Sequence, residues 1–299
     1  MSITIDYKNR KNITFYKNDL KYKKHRELDV EDLKYNDDEF DQLMIEDMDT
    51  IKYRLMDCEK SGGTSLDLSH LELRECPNNL LKNIRFLFCS NNELQKIEDL
   101  SYLANLEVFD CCSNKLEILP KLPLSIIEVN CKDNLIQDIS NIRDCKQLSR
   151  IDCSFNKISR IPSFEKIDIL VCSNNQIETI ENMNSLRKLH CKNNKIEHLD
   201  SFENLLELDI DKNRLKRISD LPRLKFLYCN DNKITDFKNL NNLVSIQLYN
   251  NPIDNIPYFD GLKEMVCKYS PDKNINKKYM NRIKHFQLMK DDVLYMSFD

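Results

Sequence analysis

The sequence predicts an α/β repeat solenoid, a stack of short turns joined through one parallel β-sheet. Two observations carry that reading. An asparagine returns in register at Asn92, Asn114, Asn134, Asn156, Asn175, Asn194, Asn213, Asn232 and Asn251, each closing the phrase L-x-x-L-x-C-x-x-N-x-[LI]. The intervals are 22, 20 and 22 residues at first, then 19 at every step from Asn156 to Asn251. Self-similarity of this period means that each copy is one structural turn stacked on the last.

Within a turn, Leu189, His190 and Cys191 alternate inward and outward, the period of a short β-strand. Like segments of neighbouring turns pair in parallel and make one continuous sheet. The asparagine stands where the chain bends off the strand, and its carboxamide can pair the backbone groups that the bend exposes. After the 11-residue phrase, about eight residues remain for the return leg, too few for a helix with its connections. Extended, turn or 3₁₀ segments are expected there, and Pro120, Pro162 and Pro257 fit them.

Twelve cysteines would fit a disulfide framework in a short secreted chain. Here Cys89, Cys111, Cys131, Cys153, Cys172, Cys191, Cys229 and Cys267 all fall three residues before the asparagine slot, where Ile210 and Leu248 stand in other turns. A slot that takes Cys, Ile and Leu is an apolar core slot, and free cysteine acts there as a small hydrophobe. Thiols on adjacent turns would stand about 4.8 Å apart with parallel Cβ vectors, a poor geometry for disulfides. Ligands in a row do not make a tetrahedral metal site. No metal and no cofactor is expected.

The array is expected to span residues 64–270, with about 10–11 repeats. Leu66, Leu68 and Leu73 form a degenerate first turn with Leu71 in the asparagine slot; Leu262, Met265 and Cys267 form the last, with Ser270 in it. Residues 38–63 read as an N-terminal capping helix and turn: Phe40, Leu43, Met44, Met48, Ile51 and Leu55 recur at helical spacing before Ser61, Gly62 and Gly63. Residues 271–299 read as a second, helical cap, outlined by Tyr279, Met280, Ile283, Phe286 and Met289. Residues 1–37 form a charged arm. Its first 26 residues carry eight Lys or Arg against two acids, and residues 27–50 carry eleven acids against one Lys. Such opposed blocks read as a solvated tail, or one folded on its acidic neighbour.

Net charge of −4 shows no overall pull toward nucleic acid. Three glycines argue against turns that need positive φ and against phosphate-cradling loops. No apolar run is long enough to span a membrane, and the first ten residues lack a signal peptide's apolar core. A cytosolic, or nuclear, monomer is expected.

The repeated phrase resembles the leucine-rich repeat family over roughly residues 64–270. The resemblance implies a horseshoe with a parallel sheet on its concave side. The 19-residue period is shorter than the family's usual range, so the convex side should be mostly non-helical and the curvature slight. Composition and the cysteine-for-leucine habit also resemble the repeat proteins of giant DNA viruses, for which a host protein would be the natural partner.

The resemblance places any binding site on outward strand positions of the concave face. Phe226, Tyr228, Tyr249 and Tyr269 should form an aromatic patch there, unless the C-terminal cap folds over it with Phe286 and Tyr295. Asp110, Asp152 and Asp209, interleaved with Arg150, Lys188, Lys192 and Lys212, form a mixed-charge row beside His190. That row reads as a solvated face or as a polar recognition strip. Catalysis finds little support. Cys112 has no histidine on its own or a neighbouring strand to activate it, and Asp209 and Asp211 lack an apolar pocket to raise a pKa. The expected function is a non-catalytic scaffold that binds a protein partner. Alternatives are a regulatory subunit of an intracellular enzyme such as a phosphatase, and a binder of nucleic acid or an acidic partner through the basic arm.

Overall fold

The computed structural model describes residues 4–5, 13–14, 50–78, 80–218, 221–238, 240–253, 255–268, 274–275, 279, 282–288 and 293–298. The chain divides into two compact units, Met1–Glu46 and Asp47–Asp299. In the first, Thr4–Ile5 and Ile13–Thr14 pair antiparallel. The rest of the charged arm, and residues 38–49 of the expected capping helix, lie outside the described residues.

The second unit is built on a 13-stranded sheet. Eleven parallel strands come first, from Ser65–Asp67 and Phe86–Phe88 to Ser245–Gln247 and Glu264–Lys268. Neighbours pair without a register slip: Lys188 lies beside Glu207, Leu189 beside Leu208 and His190 beside Asp209. The central residue of each strand points inward, and Leu87, Phe109, Val129, Ile151, Leu170, Leu189, Leu208 and Leu227 are all 0% exposed. Each such side chain contributes about 1.5–3 kcal/mol on burial. The next inward slot lies two residues along, and Cys89, Cys111, Cys131, Cys153, Cys172, Cys191 and Cys229 fill it as free, buried thiols. Burial pushes the thiols of Cys111, Cys131 and Cys153 well above the usual range.

The asparagines bond each turn to the one before it. Asn194 Oδ1 accepts the Ile177 N–H at 2.9 Å, and its Nδ2 donates to the carbonyls of Cys172 at 3.1 Å and Cys191 at 2.9 Å. The same bonds recur around Asn114, Asn134, Asn156, Asn175, Asn213, Asn232 and Asn251. Asn92 does the same for the degenerate first turn through Leu73 N–H and the Leu68 carbonyl.

One expectation fails at the residue before each asparagine. Scarcity of glycine argues against positive φ, yet Asn91, Ser113, Asp133, Phe155, Asn174, Asn193, Lys212, Asp231 and Asn250 all have φ between 53° and 58°. Asn and Asp hold six of these nine positions, and they tolerate the left-handed region better than other non-glycine residues. The inter-turn bonds on both sides hold Phe155 and Lys212 there as well.

The return legs are extended, as their length requires. Arg160–Ile161 pairs with Thr179–Ile180, and Arg217–Ile218 pairs with Asp236–Phe237, both in parallel. A 3₁₀ turn covers Ser140–Ile142.

The two ends of the sheet are closed differently. At the N-terminal end residues 50–60 are helical, and Arg54 Nη1 donates to one carbonyl of the edge strand, Asp67 at 2.9 Å, and to one just past it, Ser69 at 3.1 Å. The turn that follows needs Gly63: its φ is 69°, and a Cβ there would meet the Asn83 carboxamide at 2.6 Å.

At the C-terminal end the expected helix is replaced by a β-hairpin. Val293–Phe298 pairs antiparallel with Glu264–Lys268, and Ile283–Leu288 pairs antiparallel with Val293–Phe298. Tyr279 is helical, but beyond it Ile283–Leu288 and Val293–Phe298, with β-branched and aromatic residues in both, are strands. The buried Tyr279 hydroxyl donates to the Pro257 carbonyl at 3.0 Å and accepts the Phe259 N–H at 2.7 Å.

Candidate protein-interaction face

Strand alternation puts three rows of side chains on the outer face of the sheet. The first contains Glu128, Arg150, Ile169, Lys188, Glu207 and Phe226; the second contains Asp110, Asp152, His190, Asp209 and Tyr228. The third, just past the strands, contains Lys132, Lys192, Asp211 and Tyr249. Neighbours in a row sit about 4.8 Å apart. Sequence reasoning assigned the second and third rows and took only single members of the first. The same two-residue alternation would have supplied Glu128 and Glu207.

The acidic row serves the chain itself. Asp110 Oδ1 accepts the Cys112 N–H at 2.9 Å, Asp152 Oδ1 accepts that of Ser154 at 3.0 Å, and Asp209 Oδ1 accepts that of Asp211 at 3.2 Å. Each carboxylate thereby closes a turn at the strand exit. Asp110 is buried and also accepts from Asn130 Nδ2 at 3.1 Å. Burial raises its pKa above the ordinary carboxylate value, against its hydrogen bonds. Asp152 and Asp209 are half-buried, and burial likewise raises the Asp209 pKa.

His190 and Lys192 belong to a cross-strand charge ladder. His190 Nε2 lies 2.8 Å from Glu207 Oε1, Lys188 Nζ lies 2.9 Å from Glu207 Oε2, and Lys192 Nζ lies 3.3 Å from Asp211 Oδ2. Lys188, His190 and Lys192 of one turn thus reach two acids of the next, Glu207 and Asp211. Cys112 is half-buried, and its thiol is pushed up to about 12, by burial first and by Asp110 second. A thiol so placed is a poor nucleophile.

The aromatic residues lie toward the C-terminal end. Phe226 is 38% exposed and stands beside Glu207 and Ser245. Tyr228 is half-buried and stands beside Asp209 and Gln247. Tyr249 is half-buried, one turn further on, its N–H held by Asn230 Oδ1 at 2.9 Å. Tyr269, the fourth expected member, lies outside the described residues. The C-terminal hairpin extends the sheet sideways: Tyr295 pairs with Val266 in the row of Tyr228, while Met296 pairs with Met265 and is buried. Of the two cap residues named for a lid, Tyr295 is half-buried and the Phe286 side chain lies outside the described residues.

Comparison with solved structures fits this architecture. YopM from Yersinia enterocolitica WA-314 superposes with a TM-score of 0.59 at 21% identity, over 74% of this chain and 59% of that one. The fold is that of the leucine-rich repeat. YopM from Yersinia pestis gives 0.54 at 19% identity, over 78% of this chain and 88% of that one. A complex of latrophilin 3, Unc5D and FLRT2, in which FLRT2 supplies the leucine-rich repeats, gives 0.51 at 20% identity, over 67% and 80%. This chain therefore spans just under three-fifths of the length of the first of these leucine-rich repeat proteins. No protein-family model and no curated protein matches the sequence.

Among the described residues, no group of three His, Cys, Asp or Glu side chains could hold a metal ion, and no helix is long and apolar enough to cross a membrane. The groove on the return side, lined by Ser140, Arg143, Arg160 and Glu181, is about 390 Å³ and open. Its two arginines already pair with Glu181.

Proposed function

We propose that this chain is a non-catalytic interaction scaffold that binds a protein partner across the outer face of its sheet, anchored on Phe226, Tyr228 and Tyr249. One observation carries the reading: a half-exposed aromatic patch on a wide, regularly spaced sheet whose inward positions are committed to the core. Aromatic anchors cover much area with few rotors, which is why they dominate interface energetics. The assembly of leucine-rich repeats with latrophilin 3 and Unc5D supports a protein as the partner class. Carboxylates along the same face disfavour a nucleic-acid backbone. Free buried thiols fit a reducing compartment, so the proposal includes a cytosolic location.

Replacing Tyr228 with a photo-crosslinking phenylalanine analogue tests the reading. It should capture a discrete partner from cytosol, and the same analogue at Ile118, exposed on the return side, should not. Equal capture at both positions, or capture only at Ile118, would refute it.

A further inference from the structure

The aromatic patch is set among carboxylates. Register places Glu207 beside Phe226 and Asp209 beside Tyr228, and Glu264 stands two strands beyond Phe226 in the same row. Glu207 already holds Lys188 and His190. Among the described residues, neither Asp209 nor Glu264 has a basic side chain within ion-pair distance. Burial first, and then Glu207, Asp209 and Glu264, raise the Tyr228 phenol above its ordinary pKa, against the opposing charge of Lys188.

We infer that this patch takes an extended basic segment of the partner, its lysine or arginine side chains lying over Phe226 and Tyr228 between the two carboxylate flanks. The inference rests on the sheet-face reading above and names the chemistry that face selects. A cation over an aromatic ring is attracted by the ring's negative face, and carboxylates on either side add charge and hydrogen-bond acceptors. From Glu207 to Glu264 is three inter-strand steps, about 14 Å, which about four residues of extended chain span. Side chains at alternate positions of such a segment point the same way, so basic residues at i, i+2 and i+4 fit the row. An acidic or phosphate-bearing partner meets like charge.

The probe is a short peptide with arginine at alternate positions, titrated against the full chain and compared with the same peptide carrying neutral citrulline. The arginine peptide should bind at least about fivefold more tightly. Tyr228→Leu, Asp209→Asn and Glu264→Gln should each weaken it by about three- to tenfold, with melting temperatures recorded to confirm folding. Glu178→Gln, exposed on the return side, should leave it unchanged. Equal binding of the citrulline peptide, or an equal loss on Glu178→Gln, would overturn the inference. Crosslinking through position 228 to a partner without basic segments would also overturn it, while leaving the sheet-face reading intact.

Discussion

The Asn175 carboxamide donates to the Cys153 carbonyl of the preceding turn at 3.0 Å and to Cys172 in its own turn at 3.1 Å. One side chain therefore joins two rungs, and its oxygen takes up the Ile158 N–H at 3.0 Å as well. The ladder makes neighbouring turns depend on each other in a fold whose contacts are otherwise local.

Removing one rung should be costly. Asn194→Ala leaves the Ile177 N–H without its partner in a buried setting, while the Cys172 carbonyl keeps its bond from Asn175. A loss of about 1–3 kcal/mol is expected for the one orphaned group, read as a lower urea midpoint.

The left-handed residues offer a gain. Lys212 has φ 54° and is exposed, so Lys212→Gly removes backbone strain without touching the core. Stability should rise by up to about 1 kcal/mol, since a non-glycine residue in this region costs roughly 1–2 kcal/mol and glycine returns part of that as unfolded-chain entropy. A fall in the urea midpoint would show that this conformation is not the one adopted.

Thiol chemistry should report the interior. Cys131, 0% exposed, should react with a thiol reagent only on global unfolding. Cys131→Ser should cost about 1–3 kcal/mol, because the hydroxyl loses water without a built partner. Cys131→Ala should cost less than the serine variant.

Two carboxylates should titrate with opposite effect. Burial works to raise Glu207, but Lys188 and His190 outweigh it and hold its pKa below the ordinary value. Its contribution to stability is thus present above the unfolded pKa of about 4.3 and is lost as pH falls through the lower folded value. Asp110 is raised by burial, so its ionised form is a penalty at neutral pH that disappears as pH falls through the folded value toward about 3.9. Relative to wild type, Glu207→Gln should therefore destabilise most at pH 7 and least in acid. The stability of Asp110→Asn relative to wild type should instead fall as pH is lowered. Chemical denaturation from pH 3 to pH 7 reads both slopes.

The strands, the asparagine ladder, the buried cysteines and the extended return legs were legible because each repeats at one slot, and period alone assigns inside from outside. The hairpin cap was not, because Tyr279, Ile283 and Phe286 also match a helical period and nothing repeats beyond the last turn. The left-handed row was hidden behind the scarcity of glycine; Asn91, Asp133, Asn174 and Asp231 were its signal. On the face, Phe226, Tyr228 and Tyr249 fall on outward slots as expected. The second role of the acids was not legible, since nothing in a single sequence shows that a carboxylate such as Asp152 also accepts the N–H two residues on.

The affinity of an isolated partner for two altered chains tests the central claim most directly. Tyr228→Ala combined with Tyr249→Ala should weaken binding by at least about tenfold, the loss of little more than 1 kcal/mol at an interface centre, while removal of residues 1–26 should change it little. Undiminished binding by the double variant, with loss on truncation, would place recognition on the basic arm and contradict the account.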